Sequence, residues 1–229
     1  MKANPQKLSP LTIAREDYLA DIYRIQASGQ DVNTGDIAQS LQVSAASTSA
    51  MIRHLAEDGL VRHEPYSGVR LTKEGERAAF EVVRRHRIIE RFLTDVLDID
   101  WEQVDECAQS MEHGTPDVVL DAMERLSGWP LTCPHGYPIR GDDDTKLTDG
   151  ELLEALPAGT RAIVVRVDES DRDLLRYLRE RNLTLGAEVT IKSRNNIDGT
   201  RELLTSHGTF VAGQRISRAV TVRRFDTDG

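Results

Sequence analysis

The chain opens on a helical pattern. Over residues 11–28, LTIAREDYLADIYRIQAS, the apolar positions Leu11, Ile13, Tyr18, Leu19, Ile22, Tyr23 and Ile25 recur at largely helical spacing, and Gly29 ends the run. Two shorter helices follow. Thr34 can cap the first, with Ile37, Ala38 and Leu41 on its inner face. A break at 42–44 leads to the second, residues 45–58, in which Met51, Ile52 and Leu55 face inward and Gly59 is the stop. Strand-like stretches are predicted at 60–63 and 69–72, turning through Pro65-Tyr66-Ser67-Gly68. Two helices joined by a tight turn and followed by a two-stranded ribbon read as a winged helix-turn-helix.

A longer helix is predicted from Thr72, its cap by spacing, to about residue 98. Its apolar positions (Ala79, Val82, Val83, Ile88, Ile89, Phe92, Leu93, Val96 and Leu97) are too many for a surface helix, so it should lie between others. Asp100 is expected to cap a helix over 101–113, and Pro116 to begin one ending near Leu126. LTCPHGYPIRG is an irregular loop and DDDTKLTDGE a polar linker. Beyond it TRAIVVRV, AEVTIKSR, GTFVAGQ and AVTVRRF are strand-like and SDRDLLRYLRERNL is helical, which makes a small, mostly β domain.

With 39% hydrophobic and 29% charged residues, the 229-residue chain is expected to fold rather than stay disordered. No apolar run is long enough to span a membrane, and MKANPQKLSP has no signal-peptide core. Cys107 and Cys133 are too few for a disulfide framework, so a reducing cytoplasmic setting is the expectation. A net charge of −9 weighs against phosphate binding by the chain as a whole, yet it leaves room for a local reading surface and suits a divalent-cation binder.

The candidate chemistry collects in DECAQSMEHG, residues 105–114. On a helix turning about 100° per residue, Asp105, Gln109, Glu112 and His113 share one stripe while Cys107 points to the far side. That geometry makes Cys107 a small buried hydrophobe rather than a ligand. The preceding helix offers His86 and Glu90 at i,i+4, and the first helix offers Asp17 beside Glu16. Taken alone, a His/Glu pair on a helix is usually a solvated ion pair. Taken together, oxygen-rich donors with one or two imidazoles suit Mn²⁺ or Fe²⁺ better than structural zinc.

The series formed by the winged helix-turn-helix, RRHRIIERFL, MEH, CPHGYPIRG and a small β domain resembles the diphtheria-toxin-repressor family of metal-dependent transcription regulators, over nearly the whole chain. The resemblance implies a mainly α chain with a smaller β part. Its expected parts are a winged helix-turn-helix DNA-binding domain over 1–75, a helical dimerisation and metal-binding domain over 76–145, and an SH3-like (FeoA-like) β-barrel domain over 153–229. It implies metal ligands at Asp17, His86, Glu90, Glu112 and His113. Asp105 and Gln109 stand where iron-type members carry His and Cys, so both remain candidates. Glu169 is the candidate from the C-terminal domain, with Asp168 and Asp171 as rivals. Loss of soft ligands favours Mn²⁺ over Fe²⁺, although Zn²⁺, Co²⁺ or Cd²⁺ can occupy such donors in vitro.

The implied partners are a second copy of the chain and palindromic double-stranded DNA, with no membrane. Ser44, Ala45, Ala46, Ser47, Thr48 and Ser49 begin the recognition helix, and Arg53, Arg62, Arg70 and Lys73 are candidates for phosphate. The plainer view of 44–49 is a helix start rich in caps. An ion held by both the lead-in helix and the dimer body would set the spacing of the two recognition helices. Two other classes stay open at this point: a metallohydrolase, though no nucleophile motif, phosphate loop or HExxH is present, and a metal-independent winged-helix regulator.

Overall fold

The structure, a computed structural model, describes residues 11–27, 29, 31–64, 68–140, 149–169 and 171–225. They form two compact units, 1–85 and 86–229.

In the first unit, α1 (Ile13–Ala27), α2 (Thr34–Ser40) and α3 (Ala45–Glu57) precede β1 (Val61–Glu64) and β2 (Gly68–Leu71). The cap of α2 is Asn33 rather than Thr34. The Asn33 side-chain oxygen accepts from the backbone N–H groups of Gly35 and Asp36, both at 2.9 Å, which a hydroxyl one place later cannot do. Gln42, at φ 54°, makes the left-handed break between α2 and α3, and the Ser44 hydroxyl caps α3 by accepting from Ser47 N–H at 3.1 Å. Leu19, Ile22, Ile37, Ile52, Leu55 and Leu60 are buried together with Val61 and Val69 of the ribbon, so the apolar stripes of all three helices meet the wing. β1 and β2 pair antiparallel with Val61 opposite Leu71 and Arg62 opposite Arg70. The expected turn at Pro65–Ser67 lies outside the described residues.

The helix α4 (Lys73–Asp95) carries the chain from one unit into the other. Thr72 caps it, accepting from Gly75 N–H at 3.1 Å. It stops short of 98 because Asp98 adopts φ 56°, and Val96 and Leu97, counted in its pattern, are exposed. The next helix is also shorter than expected. Residues 101–103 form a turn, α5 spans Val104–Met111, and the Asp100 carboxylate pairs with Arg179 instead of capping. The helix α6 (Asp117–Leu126) follows. Ile88, Ile89 and Leu93 of α4 pack with Val104, Ala108, Leu120, Met123 and Ile139.

After β3 (Glu151–Leu152) and a short 3₁₀ turn come β4 (Arg161–Val167), α7 (Arg172–Glu180), β5 (Glu188–Arg194), β6 (Arg201–Thr205), β7 (Gly208–Ala212), α8 (Gln214–Ala219) and β8 (Val220–Arg224). The strands form one antiparallel sheet in the order β3-β8-β4-β5-β6-β7. β6 and α8 were not apparent from the residue pattern, β6 because RELLT is short and begins on a charge.

The turn at 101–103 sends Trp101 away from the helical core. Its side chain, 7% exposed, packs instead with Leu153, Leu156, Val164, Leu175 and Val220 of the C-terminal domain. The charged face of α7 holds the same stretch. Arg172 donates to the Glu102 carbonyl at 3.1 Å and pairs with Glu106 at 2.6 Å, and Arg179 pairs with Glu102 at 2.8 Å.

The loop 131–139 lies directly on β4, with Val167 N–H donating to the His135 carbonyl at 2.9 Å. Gly136 makes that approach possible. It has φ 95°, and a Cβ there would meet Val165 O at 2.2 Å. Gly159 has φ 85° with open space around its Cβ position. Gly159→Ala is therefore expected to cost only the left-handed backbone penalty of about 1–2 kcal/mol. Gly136→Ala should lose at least about twice that, because backbone must also move. Urea-unfolding midpoints of the two variants check the difference, and equal losses would show that the loop yields.

Candidate metal centre and nucleic-acid surface

α4 presents His86 and Glu90 one turn apart on its buried face. Glu90 has no exposed surface, yet its carboxylate meets two imidazoles through one oxygen. Oε1 lies 3.6 Å from His86 Nε2 and 3.3 Å from His135 Nδ1. His86 Nε2 is also 3.2 Å from Asp105, and His86 Nδ1 lies 2.7 Å from Glu112. Glu112 in turn lies 3.2 Å from His113 Nε2. On the far side, His135 Nδ1 is 3.3 Å from Glu169 Oε2.

Among the described residues of the second unit, two sets of donors result. The donor atoms of Glu90, Cys133, His135 and Glu169 all lie within 4.8 Å of one another, and so do those of His86, Glu90 and Asp105. Glu90 belongs to both sets. Both of its oxygens, His135 Nδ1, Glu169 Oε2 and His86 Nε2 are buried without an aligned hydrogen-bond partner. Buried polar atoms are seldom left so, and a convergent group of them fits a cation.

Each imidazole has one nitrogen already committed. A carboxylate and a carbonyl can only accept, so His86 Nδ1–H donates to Glu112 and His135 Nε2–H donates to the Trp101 carbonyl at 3.1 Å. The opposite nitrogens face the carboxylates. This is the arrangement in which an outer partner fixes the tautomer and aims the inner nitrogen at a metal.

Charge follows the geometry. Burial opposes the imidazolium of His86, but Glu90, Asp105 and Glu112 outweigh it and raise its pKa well above the usual histidine value. His135 is buried too, which opposes its charge, but the close approach of Cys133, Glu169 and Glu90 outweighs burial and raises it likewise. Glu90, despite full burial, is held below the ordinary carboxylate range by those two rings. Burial and the Glu90 charge push the Cys133 thiol up, so in the apo chain it is neutral.

The residues expected from the sequence divide accordingly. His86, Glu90, Asp105, Glu112 and His113 form a linked chain of contacts, and Glu169 joins them through His135. Asp168 is exposed, and Asp171 caps α7 by accepting from Leu174 N–H at 3.0 Å while pairing with Arg215. Gln109 is exposed on α5, and Cys107 packs partly buried against the helical core, as its place on the wheel implies. Asp17 is half-buried on α1 of the first unit. Cys133 and His135 were not among the expected ligands. The cue was present in CPHG, where two donors sit two residues apart in a loop framed by Pro and Gly.

On α3, Ser44, Ala45, Ala46, Ser47 and Ser49 are exposed, as are Arg53, Arg62, Arg70 and Lys73. Thr48 requires a correction. It is fully buried, its hydroxyl donating to the Ser44 carbonyl at 3.1 Å and lying 3.4 Å from Tyr18 OH, so it cannot reach a base edge. Arg62 and Arg70 stand directly opposite each other across the ribbon. Arg70 finds Asp31 at 3.1 Å, an exposed pair of little weight.

Three family models match the sequence: iron-dependent repressor, N-terminal DNA-binding domain, over 10–69; iron-dependent repressor, metal-binding and dimerisation domain, over 72–141; and FeoA domain over 152–224. The iron-dependent repressor IdeR of Mycobacterium leprae (strain TN) is 30% identical, over 81% of this chain and 86% of that one. The chain belongs to the iron-dependent repressor family. Among solved structures, a manganese-dependent transcriptional repressor in complex with manganese superposes with a TM-score of 0.84 at 33% identity, covering 92% of this chain and all (100%) of that one. ScaR with bound Zn²⁺ gives a TM-score of 0.76 at 26% identity, covering 92% of this chain and 99% of that one. The metals named for these neighbours differ.

Loading a cation onto His86 and His135 must displace the protons that the surrounding carboxylates hold there. Divalent-ion affinity is therefore expected to fall as pH is lowered, and the heat of Mn²⁺ uptake to scale with the ionisation enthalpy of the buffer. Calorimetry in two buffers at one pH checks this. A buffer-independent heat would show that these imidazoles are neutral before metal arrives.

Proposed function

We propose that this repressor is switched by a divalent cation held at the donors around Glu90, with Mn²⁺ as its physiological activator. The observation that carries the metal reading is the convergence of buried, unaligned donor atoms from Glu90, His135 and Glu169 beside Cys133 and His86. Glu90, Cys133, His135 and Glu169 would hold one ion; His86, Asp105, Glu112 and His113 are the donors for another, to which Asp17 and Gln109 are added by resemblance. Oxygen-rich donors favour Mn²⁺ at the latter. The Cys133 thiol is a softer donor, and it favours Fe²⁺ as the second reading for the former, with Zn²⁺ or Co²⁺ able to enter in vitro.

The wing supports the DNA reading. Two guanidinium groups placed directly opposite on paired strands repel each other, an arrangement that a polyanion relieves. In an acidic chain of net charge −9, such a local cationic pair marks where phosphate is met. Ser44, Ala46 and Ser47 are small enough to admit close approach of α3 to the major groove, with modest base readout and a large share of phosphate and shape recognition. The dimer partner is a second copy docked on α6, whose Val118, Val119 and Leu126, with Trp129 and Leu131 beyond, are exposed apolar side chains. The operator is accordingly a two-fold site, and the ion acts by binding more tightly to the DNA-competent state.

Arg62→Ala and Arg70→Ala are each expected to weaken binding about equally across operator sequences and to reduce the salt slope by about 1. Fluorescence anisotropy at several salt concentrations measures it, and an unchanged slope would remove that arginine from the interface. Asp17→Ala is expected to weaken the dependence of operator binding on Mn²⁺ while sedimentation still shows the dimer. Undiminished metal dependence in gel shifts would remove Asp17 from the ligand set.

A further inference from the structure

Trp101 touches the candidate centre from a direction that the ligand set does not explain. Its carbonyl accepts the His135 Nε2 proton at 3.1 Å, and its indole stacks on the same imidazole with ring centroids 5.2 Å apart and planes 29° from parallel. One residue therefore holds the His135 ring both at an edge and on a face. The carbonyl contact selects the tautomer with Nδ1 turned toward Glu90 and Glu169. The stacking limits rotation about the ring bond.

The other end of Trp101 is fixed as well. Its indole is buried in the core of the C-terminal domain, among Leu153, Leu156, Val164 and Leu175, although the residue belongs to the turn that precedes α5. The three sources of donors at this centre are α4 with Glu90, the loop with Cys133 and His135, and the turn between β4 and α7 with Glu169. Trp101 packs on or into the surroundings of the last two while its backbone continues from the first. The indole Nε1 is buried without a hydrogen-bond partner, so no polar contact accounts for a Trp here. What the ring supplies is a flat face.

We propose that Trp101 is a positioning residue of the Glu90–Cys133–His135–Glu169 centre, setting the ring plane and tautomer of His135. This rests on the proposed metal reading of that centre. Trp101 touches no ion itself; its effect passes through His135.

The test compares Trp101→Leu, which fills the core with apolar volume but has no ring face, with Trp101→Phe, which keeps a face and removes the unpaired N–H. The probe is Co²⁺ added to the full-length, metal-stripped protein, read by the thiolate-to-cobalt absorption band, with Cys133→Ser assigning that band to this centre. The proposal expects Trp101→Leu to bind Co²⁺ at the thiolate centre about 10- to 100-fold more weakly, and Trp101→Phe to stay within about threefold of the wild type. Circular dichroism and thermal melting of the apo proteins report folding separately. A purely structural role would lower melting in Trp101→Leu and leave the band and the affinity unchanged, which overturns the proposal. Equal weakening in both variants also overturns it, because the ring face would then not be what matters. A wild-type protein with no band that depends on Cys133 ends the metal reading of this centre and the role of Trp101 together, whereas a normal band in wild type and in Trp101→Leu ends only the latter.

Discussion

A carboxylate with no exposed surface is stable as an anion only where positive charge is supplied within a few ångströms, since the interior screens charge poorly and water is absent. Glu90 meets that condition through His86 and His135, which face it from the two donor sets. The imidazoles in turn keep their protons because Glu90, Asp105, Glu112 and Glu169 surround them. The arrangement is balanced but not fully hydrogen-bonded, and several of its atoms lack aligned partners. On the proposed reading a divalent ion would replace the protons with better-directed bonds, and the centre would respond to metal and acidity in opposite senses.

The wing poses the complementary problem. Arg62 and Arg70 face each other on paired strands, where like charges destabilise a ribbon. On the proposed reading each of the two units carries charges that a ligand of opposite sign would relieve, a cation at Glu90 and a polyanion at the wing. Excess negative charge on the rest of the chain keeps phosphate from binding elsewhere, so the overall −9 and a DNA-binding role are compatible.

The donor chemistry is more mixed than the helices alone suggest. Asp105 and Glu112 are hard oxygen donors, and on them the proposed preference for manganese rests. Cys133 places a thiol in the second set, which widens the range of ions that set can accept. The thiol is neutral in the apo chain, so its entry as a ligand costs a proton as well. Two sets that share Glu90 are not independent, because one carboxylate belongs to both.

Residues a few positions apart on one helix were readable from the sequence, because helical spacing alone decides which of them share a face. The pair His86/Glu90, the stripe of Asp105, Gln109, Glu112 and His113 (of which exposed Gln109 stays outside the contacts), the turn of Cys107 away from that stripe, and the succession of winged helix-turn-helix, helical body and β domain all follow from local periodicity. Where the reading failed, another partner decided, a distant one in every case but the cap of α2. Thr48 has a groove-facing residue's chemistry but is drawn inward by Tyr18 and the Ser44 carbonyl. Asn33 outcompetes Thr34 for the cap by reaching two N–H groups. Asp100 is taken by Arg179, so the helix after it begins later and Trp101 is released into another core. Cys133, His135 and Glu169 meet Glu90 only when the loop lies on β4, an approach that a glycine at 136 permits. Local spacing determines which side chains share a face, while long-range packing determines which faces meet, and the candidate centre is built from faces contributed by three separate parts of the chain.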